Sequence, residues 1–158
     1  WKGKIFDRMF QGTPSYLERI HPKTKETYKY CRWQSSASPN FGKWRKYFYP
    51  KGKKIIPNDL GDFLNSPITL AVWYMDDGYF NIIDRNSFIY LGRVTLAEAE
   101  ILQKAIEKNF GIKVTIYDKK TKGFALFFGA EETKKLHALI SPFVIPSMHY
   151  KLFDPVTT

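Results

Sequence analysis

One segment near the middle of the chain, SPITLAVWYMDDG from Ser66 onward, restricts the fold more than any other. Ser66 is suited to a helix N-cap, Pro67 to the first helical position and Gly78 to the helix end. Between these signals almost every side chain is apolar, on all faces of the expected helix. Because a helix that is apolar all round is a buried one, we predict a buried helix. It ends on two adjacent carboxylates, Asp76 and Asp77.

The segments that follow this helix have the patterns of strand pairs alternating with amphipathic helices. The strands are predicted at 79–83, 88–94, 112–117 and 124–128, with turns at DRNS and DKKTKG. One helix begins with the capping box TLAE at Thr95 and ends before Gly111, and another is predicted over 130–140. The predicted order from the first helix is α-β-β-α-β-β-α, and the fold class is α+β.

The N-terminal part repeats the second half of that order. Strands are predicted at 15–20 and 26–34, a helix at 40–49, and then a loop that ends in Ile-Pro at Pro57. The segment 114–146 has the same order and also ends in Ile-Pro. We therefore predict one and a half repeats: a partial N-terminal repeat over 1–65 and a complete C-terminal repeat over 66–158.

The charge balance indicates a polyanionic partner. The chain has 25 Lys and Arg against 15 Asp and Glu in 158 residues, a net charge of +10 and a pI of about 9.6. Such a composition is typical of nucleic-acid-binding proteins, although it does not separate DNA from RNA or from an acidic membrane. A membrane partner is disfavoured because the charge does not follow an amphipathic helix. No apolar run has the length of a bilayer span, and no signal peptide is predicted.

Cysteine usage and the first residue bear on the origin of the chain. Cys31 is the only cysteine, which excludes an internal disulfide and a zinc site built on thiolates, and suits a reducing, intracellular compartment. The sequence begins at Trp1 rather than Met, from which we expect a fragment or a processed product.

The carboxylate pair is placed where a helix least favours negative charge. At a helix C-terminus each carboxylate costs about 0.3 to 1 kcal/mol against the macrodipole when exposed. A divalent cation such as Mg²⁺, held by oxygens and shared with a phosphate, would compensate this cost and could activate water. The alternative is that Asp76 and Asp77 are solvated residues at a helix end.

The nine residues LAVWYMDDG, from Leu70 to Gly78, resemble the LAGLIDADG signature of the homing endonucleases. They are most similar to the second motif of two-motif enzymes encoded in organellar introns. The segments KKIIPNDLGDFLNSPITLA and IPSMHYKL also resemble flanking segments of that branch, so the resemblance covers nearly the whole chain.

The resemblance implies roles for particular residues. Asp77 stands at the metal-binding acidic position of the family, and Asp76 at the preceding small residue as a weaker metal candidate. Lys54 and Lys151 stand where the branch carries its active-site lysines. The implied cofactor is Mg²⁺, and the implied fold is an αββαββα repeat whose antiparallel saddle sheet lies in the major groove of double-stranded DNA. An organellar location, in a mitochondrion or chloroplast, is also implied.

The sequence departs from the family pattern at residues that would pack against a second motif helix or bind metal with it. Val72 replaces the glycine that permits close helix approach, and Met75 replaces the first acid of the signature. The sequence contains a single such motif, and Asp77 is half of the family's metal site. Three alternatives follow: a partner polypeptide supplies the first-motif half, the chain dimerises, or it does not cut. Dimerisation is the less natural one because 65 residues precede Ser66.

Nucleic-acid contacts are predicted for three groups of residues. On the strand 26–34 one face presents side chains suited to reading base edges, although it could equally be the exposed face of a half-buried sheet. One basic cluster lies around the helix predicted at 40–49, and another lies at the tip of the last hairpin. Either cluster could contact phosphates or be solvated, and the common sign of the charges favours phosphate contact. The candidates are Tyr28, Tyr30, Arg32, Gln34, Lys43, Arg45, Lys46, Lys53, Arg93, Lys113, Lys119, Lys120 and Lys122.

Two functions are compatible with these features. The first is a homing-endonuclease-type domain that binds double-stranded DNA sequence-specifically and cleaves it with Mg²⁺, given a first-motif half from elsewhere. The alternative is an RNA-binding protein without catalysis, an intron maturase or a component of a ribonucleoprotein or ribosome. The intact Asp77 favours the first function, and the single motif favours the second.

Overall fold

A computed structural model describes residue 9 and residues 12–153. The chain divides into two compact units, 1–45 and 46–158. The predicted repeat boundary after residue 65 therefore differs from the division between units. The reason is that segment 46–65 packs with the second unit: Leu64 is buried in its core, and Asn109 Nδ2 donates to the carbonyls of Gly61 and Leu64, 2.7 Å each.

The first unit contains an antiparallel hairpin. Strands β1 (Ser15–Ile20) and β2 (Thr27–Arg32) pair with Ser15 opposite Arg32 and Ile20 opposite Thr27. All residues of both strands are exposed except Tyr30, which is half-buried. The first unit also includes most of helix α1 (Pro39–Phe48).

The second unit has the predicted order of elements. Helix α2 is followed by a strand pair, helix α3, a second strand pair and helix α4, and the four strands form one antiparallel sheet in the order β3-β4-β6-β5. The bounds are α2 Pro67–Asp77, β3 Gly78–Asn81, β4 Asn86–Gly92, α3 Leu96–Phe110, β5 Thr115–Asp118, β6 Phe124–Phe128 and α4 Ala130–Ile140. The α+β class and the α-β-β-α-β-β-α order are confirmed.

Helix α2 is buried along one side and open along the other. Ser66 takes the N-cap position, but its side chain makes no capping hydrogen bond. Thr69 is exposed, and Val72 and Trp73 are half-buried. The buried side chains are Leu70, Ala71, Tyr74 and Met75. They pack in one core with the inner face of the sheet and with α3 and α4.

The other two helices begin and end as the sequence predicts. Thr95 caps α3 with a reciprocal capping box to Glu98, and Gly111 ends it in the left-handed conformation at φ 66°. Helix α4 spans the predicted residues. Strands β1 and β6 span the predicted residues. Strands β2 and β5 are shorter than predicted: β5 begins at Thr115 although the buried Ile112 and Val114 continue the alternation, and Gln34 lies beyond the end of β2. Alternating burial extends past the ladder because loop residues also fill the core.

Candidate active site and nucleic-acid interface

The C-terminal end of α2 runs directly into the sheet. Gly78 is both the last cap residue of α2 and the first residue of β3, and its amide donates to the carbonyl of Tyr74. A Cβ atom built on Gly78 would lie 2.3 Å from that carbonyl oxygen, so only glycine fits here. At this junction the carboxylates of Asp76 and Asp77 are exposed.

Lys151 brings a positive charge to the same end of the helix. Its Nζ donates to the carbonyl oxygen of Met75 at 2.7 Å. This carbonyl belongs to the last turn of α2, where unpaired carbonyl groups carry the negative end of the macrodipole. The cation that the acidic helix end requires is therefore supplied in part by the chain itself.

Asp77 and Lys54 line the same open cleft of about 370 Å³. Trp73 and Tyr90 also line it, and the rest of its wall is largely apolar. Among the residues predicted for catalysis, Asp77 and Lys54 thus line one cleft. Lys151 is hydrogen-bonded to the carbonyl of Met75, two residues before Asp77.

Glu98 fixes the loop that carries Lys54. One carboxylate oxygen of Glu98 accepts the amide of Ile56 at 2.9 Å, and the other accepts the amide of Thr95 at 2.8 Å. These hydrogen bonds hold the pKa of Glu98 below its usual value, and the bond from the Thr95 amide has the largest effect. Glu98, the acidic residue of the α3 capping box, therefore also positions the loop of Lys54. The capping-box pattern in the sequence did not predict this second role.

A buried polar network ties α2 to the C-terminal segment. The Tyr74 hydroxyl lies 3.0 Å from Nε2 of His137 and 3.1 Å from Oγ of Ser87, and donates to the carbonyl of Lys151 at 2.9 Å. His137 Nδ1 accepts the amide of Phe153 at 2.8 Å, which assigns the ring proton to Nε2. Burial lowers the pKa of His137 to about 4 and raises that of Tyr74. The network holds the segment of Lys151 against the motif helix.

The donor set at the end of α2 fits Mg²⁺ better than a softer metal. The available ligands are carboxylate oxygens of two exposed aspartates, and Mg²⁺ is commonly bound through one or two carboxylates with water and substrate phosphate. No group of three or more His, Cys, Asp or Glu side chains suited to a metal occurs among residue 9 and residues 12–153. A complete metal cage is thus not formed by the described part of this chain alone.

The predicted base-reading residues lie on the hairpin of the first unit. Tyr28 and Arg32 are exposed on alternate positions of β2, and Tyr30 is half-buried between them. Gln34 is exposed but follows the strand, so it does not share the ladder geometry. Side chains on both faces of the hairpin are exposed, apart from the half-buried Tyr30, and the role of these residues in base reading stays a prediction.

The predicted phosphate contacts are spread over both units. Lys43, Arg45 and Lys46 are exposed on α1, and Lys53, Arg93 and Lys113 are exposed in loops. Lys120 and Lys122 are exposed at the β5–β6 tip. Lys119 differs from them because it is half-buried, with its Nζ 4.3 Å from the ring centroid of Phe88.

Comparisons with known proteins identify the family of this chain. Residues 1–136 match the model of the LAGLIDADG DNA endonuclease family. The chain is 30% identical over 131 residues to the cytochrome b mRNA maturase bI2 of Debaryomyces hansenii, covering 82% of this chain and 48% of that protein. It is 28% identical over 167 residues to "Probable intron-encoded endonuclease 1" of Wickerhamomyces canadensis, covering 96% and 71%.

A solved structure of the homing endonuclease I-WcaI bound to its DNA recognition sequence has a similar fold. The TM-score is 0.86 and the sequence identity 26%, over 98% of this chain and 70% of that one. The α+β fold with its motif helix and antiparallel sheet is that of the homing endonucleases, and the chain belongs to the LAGLIDADG family. It spans about half the length of the maturase that it matches. Within the described residues, no helix is long and apolar enough to cross a membrane.

Proposed function

We propose that this chain is a homing-endonuclease-type domain that binds double-stranded DNA sequence-specifically and, with a first-motif half from elsewhere, hydrolyses its phosphodiester backbone. The observation that carries the proposal is the location of Asp77 and Lys54 in one cleft at the end of the motif helix. The family membership and the DNA-bound structural relative support the same class of activity.

The residues divide the work as follows. Asp77, with Asp76 as a weaker candidate, holds the divalent cation, which when bound supplies charge stabilisation and a more acidic water. Lys54 directs its ammonium toward the scissile phosphate and balances the charge that develops there. Lys151 offsets part of the negative charge at the end of α2 through its hydrogen bond to Met75 and thereby positions Asp77.

The first-motif half comes from outside these 158 residues. Along one side of α2, Thr69 is exposed and Val72 and Trp73 are half-buried. The cleft beside it is largely apolar and contains Asp77. A second motif helix packed on this side would cover the apolar wall and bring a second carboxylate to the metal.

The test is a cleavage assay on a supercoiled plasmid library with randomised inserts, with Mg²⁺ and with a separately expressed first-motif half. We expect linear product that Asp77→Asn abolishes and that Lys54→Met slows about 100-fold, because each removes charge stabilisation at the reacting phosphate. The matched controls are Asp62→Asn and Lys104→Met, which change exposed residues of the same unit that do not line the cleft. Linear product that survives Asp77→Asn would refute the assignment.

Metal binding is measured separately from cleavage. Mn²⁺ in place of Mg²⁺, followed by its electron paramagnetic resonance signal in the presence of duplex DNA, should be immobilised by the chain but not by Asp77→Asn. Unchanged immobilisation by the variant would place the metal elsewhere.

RNA binding without cleavage is the second candidate. Its support is that relatives of this chain include cytochrome b mRNA maturases of two yeasts. Tight binding of structured RNA with no cut in any metal, unaffected by Asp77→Asn, would favour this function over the first.

A further inference from the structure

Lys151 is held to the motif helix by both its main chain and its side chain. The hydroxyl of Tyr74 donates to the carbonyl of Lys151 at 2.9 Å, and Nζ of Lys151 donates to the carbonyl of Met75 at 2.7 Å. Tyr74 and Met75 are successive residues of α2, and Asp77 follows two residues later. The motif helix therefore carries both the candidate metal ligand and the two groups that hold Lys151.

A second anchor lies two residues further along the chain. Nδ1 of His137 accepts the amide of Phe153 at 2.8 Å. The ring of Phe80 lies between these two side chains, with its centroid 5.1 Å from that of His137 and 6.1 Å from that of Phe153. Because the backbone is held at Lys151 and again at Phe153, its course past the end of α2 is fixed at two points.

The hydrogen bonds of this network have one direction. Since Nδ1 of His137 accepts, Nε2 carries the ring proton, which faces the hydroxyl oxygens of Tyr74 and Ser87 at 3.0 and 3.1 Å. The Tyr74 oxygen then accepts from the ring, and its own proton is donated to the carbonyl of Lys151. Both Tyr74 and His137 are buried, so water does not compete with these bonds.

The charge of Lys151 is held without being neutralised. The partner of its ammonium is a neutral carbonyl, that of Met75, and Lys151 makes no ion pair within residue 9 and residues 12–153. A cation that is already in place stabilises developing negative charge without the cost of reorganisation. The contribution of Lys151 to the site therefore depends on the groups that hold it.

We propose that Tyr74 and His137 are positioning residues for cleavage, which hold Lys151 at the end of α2 by fixing its backbone. The inference rests on the proposed function, because it concerns the same site. Tyr74 and His137 are buried and do not contact the substrate. Their effect is on the rate of the chemical step, through Lys151, and not on DNA affinity.

The first experiment needs no cleavage. Limited acetylation of the folded chain with an N-hydroxysuccinimide ester, followed by mass spectrometry, measures the reaction rate of the Lys151 ammonium, with the exposed Lys104 as internal reference. Tyr74→Phe removes only the hydroxyl and should raise this rate about fivefold, because one buried hydrogen bond to the Lys151 backbone is lost.

Ser87→Ala is the matched control for the acetylation measurement. It also removes one hydroxyl from the same buried cluster, but that hydroxyl is hydrogen-bonded to Tyr74 and His137 and not to Lys151. The Lys151 rate should therefore stay within about twofold of that in the unmodified chain. His137→Gln, which removes the acceptor of the Phe153 amide, is the second variant and should raise the rate as Tyr74→Phe does.

The second experiment measures single-turnover cleavage and DNA affinity with Mg²⁺ and the first-motif half. Tyr74→Phe should lower the rate constant about tenfold, because the cation is no longer preorganised, and leave the affinity within about twofold. In a Lys151→Met background the same substitution should change the rate by less than about twofold, because residues that act through one group are not additive.

Two results would overturn the proposal. An unchanged acetylation rate of Lys151 in Tyr74→Phe would show that the hydroxyl does not hold the lysine. An equal loss of rate from Tyr74→Phe with and without Lys151 would show that Tyr74 acts on the fold alone. If no chain cleaves DNA but Tyr74→Phe still raises the acetylation rate, the proposed function fails and the hold on Lys151 is supported. Melting temperatures verify that each variant is folded.

Discussion

His137 shows how one buried side chain can support the candidate site from a distance. It lies on α4 and is 4% exposed. Its two ring nitrogens are hydrogen-bonded to the hydroxyl of Tyr74, on the motif helix, and to the amide of Phe153. Because Nδ1 accepts a hydrogen bond from that amide, the native structure requires the neutral ring. Protonation would leave two donors facing each other in a buried environment.

This arrangement predicts that stability falls in mild acid. The pKa of His137 is about 4 in the native protein and about 6.5 in the unfolded chain, so the unfolded state binds more protons as the pH falls through 6.5. Between pH 7.5 and pH 5 we expect a loss of about 2 kcal/mol in the free energy of unfolding. Urea denaturation at the two pH values measures it.

The variant His137→Gln is the matched comparison for that measurement. It should be less stable at pH 7.5, since it loses the ring, but the loss on going to pH 5 should be smaller by about the same 2 kcal/mol. An equal acid-induced loss in both chains would show that other groups cause it.

At the scale of elements, the β5–β6 hairpin and the end of β4 meet through a glycine. Gly123 has φ 85° and ψ −147°, a conformation that is nearly restricted to glycine, and a Cβ atom there would lie 1.8 Å from the carbonyl oxygen of Gly92. This contact sets the tip lysines beside Arg93. The sequence DKKTKG predicted a turn at this point, but it did not predict that the turn would pack against Gly92.

We expect Gly123→Ala to destabilise the second unit by about 3 kcal/mol or more, since backbone strain and a backbone clash act together. Gly111→Ala is the matched control: its φ is also positive, 66°, but its Cβ atom would meet nothing within 4 Å. That variant should cost only about 1 to 2 kcal/mol, the penalty of the left-handed conformation. Thermal unfolding of the two variants measures the loss of stability in each. Equal losses would mean that the backbone at Gly92 moves away from the new Cβ atom without destabilising the unit.

At the scale of the whole molecule, the net charge of +10 favours association with polyanions. Some lysines are already paired within the chain. Lys134 and Lys135 bind Glu131 and Glu132 at 2.8 and 2.7 Å on the surface of α4. Lys120 and Lys122 carry no such ion pair among the described residues and are exposed at a hairpin tip.

The salt dependence of DNA binding should distinguish these two pairs. Each phosphate contact contributes about 0.9 to the slope of log Kobs against log salt concentration, so replacing Lys120 and Lys122 by Gln should reduce the slope by about 2. Replacing Lys134 and Lys135 by Gln should leave it nearly unchanged. Filter binding to duplex DNA over a range of NaCl concentrations measures both, and equal slopes for the two double variants would show that the hairpin tip is solvated.

The sequence by itself determined the elements and the family. The caps at Ser66, Thr95 and Gly111 and the periodicity of apolar residues are local signals, and they predicted the αββαββα order. The nine residues ending at Gly78 predicted the family through their resemblance to its signature, whereas an acidic pair at a helix end is by itself compatible with solvated residues.

The tertiary structure alone decided which distant residues meet. Lys54 and Asp77 share a cleft because Glu98 holds the intervening loop, and Lys151 reaches Met75 because the Tyr74–His137 network fixes the C-terminal segment. Strand register also places aromatic side chains from four strands side by side on one face of the sheet: Tyr79, Phe88, Phe127 and Tyr117. Periodicity along one strand defines its two faces, but the pairing between strands that are far apart in sequence is set by the packed core.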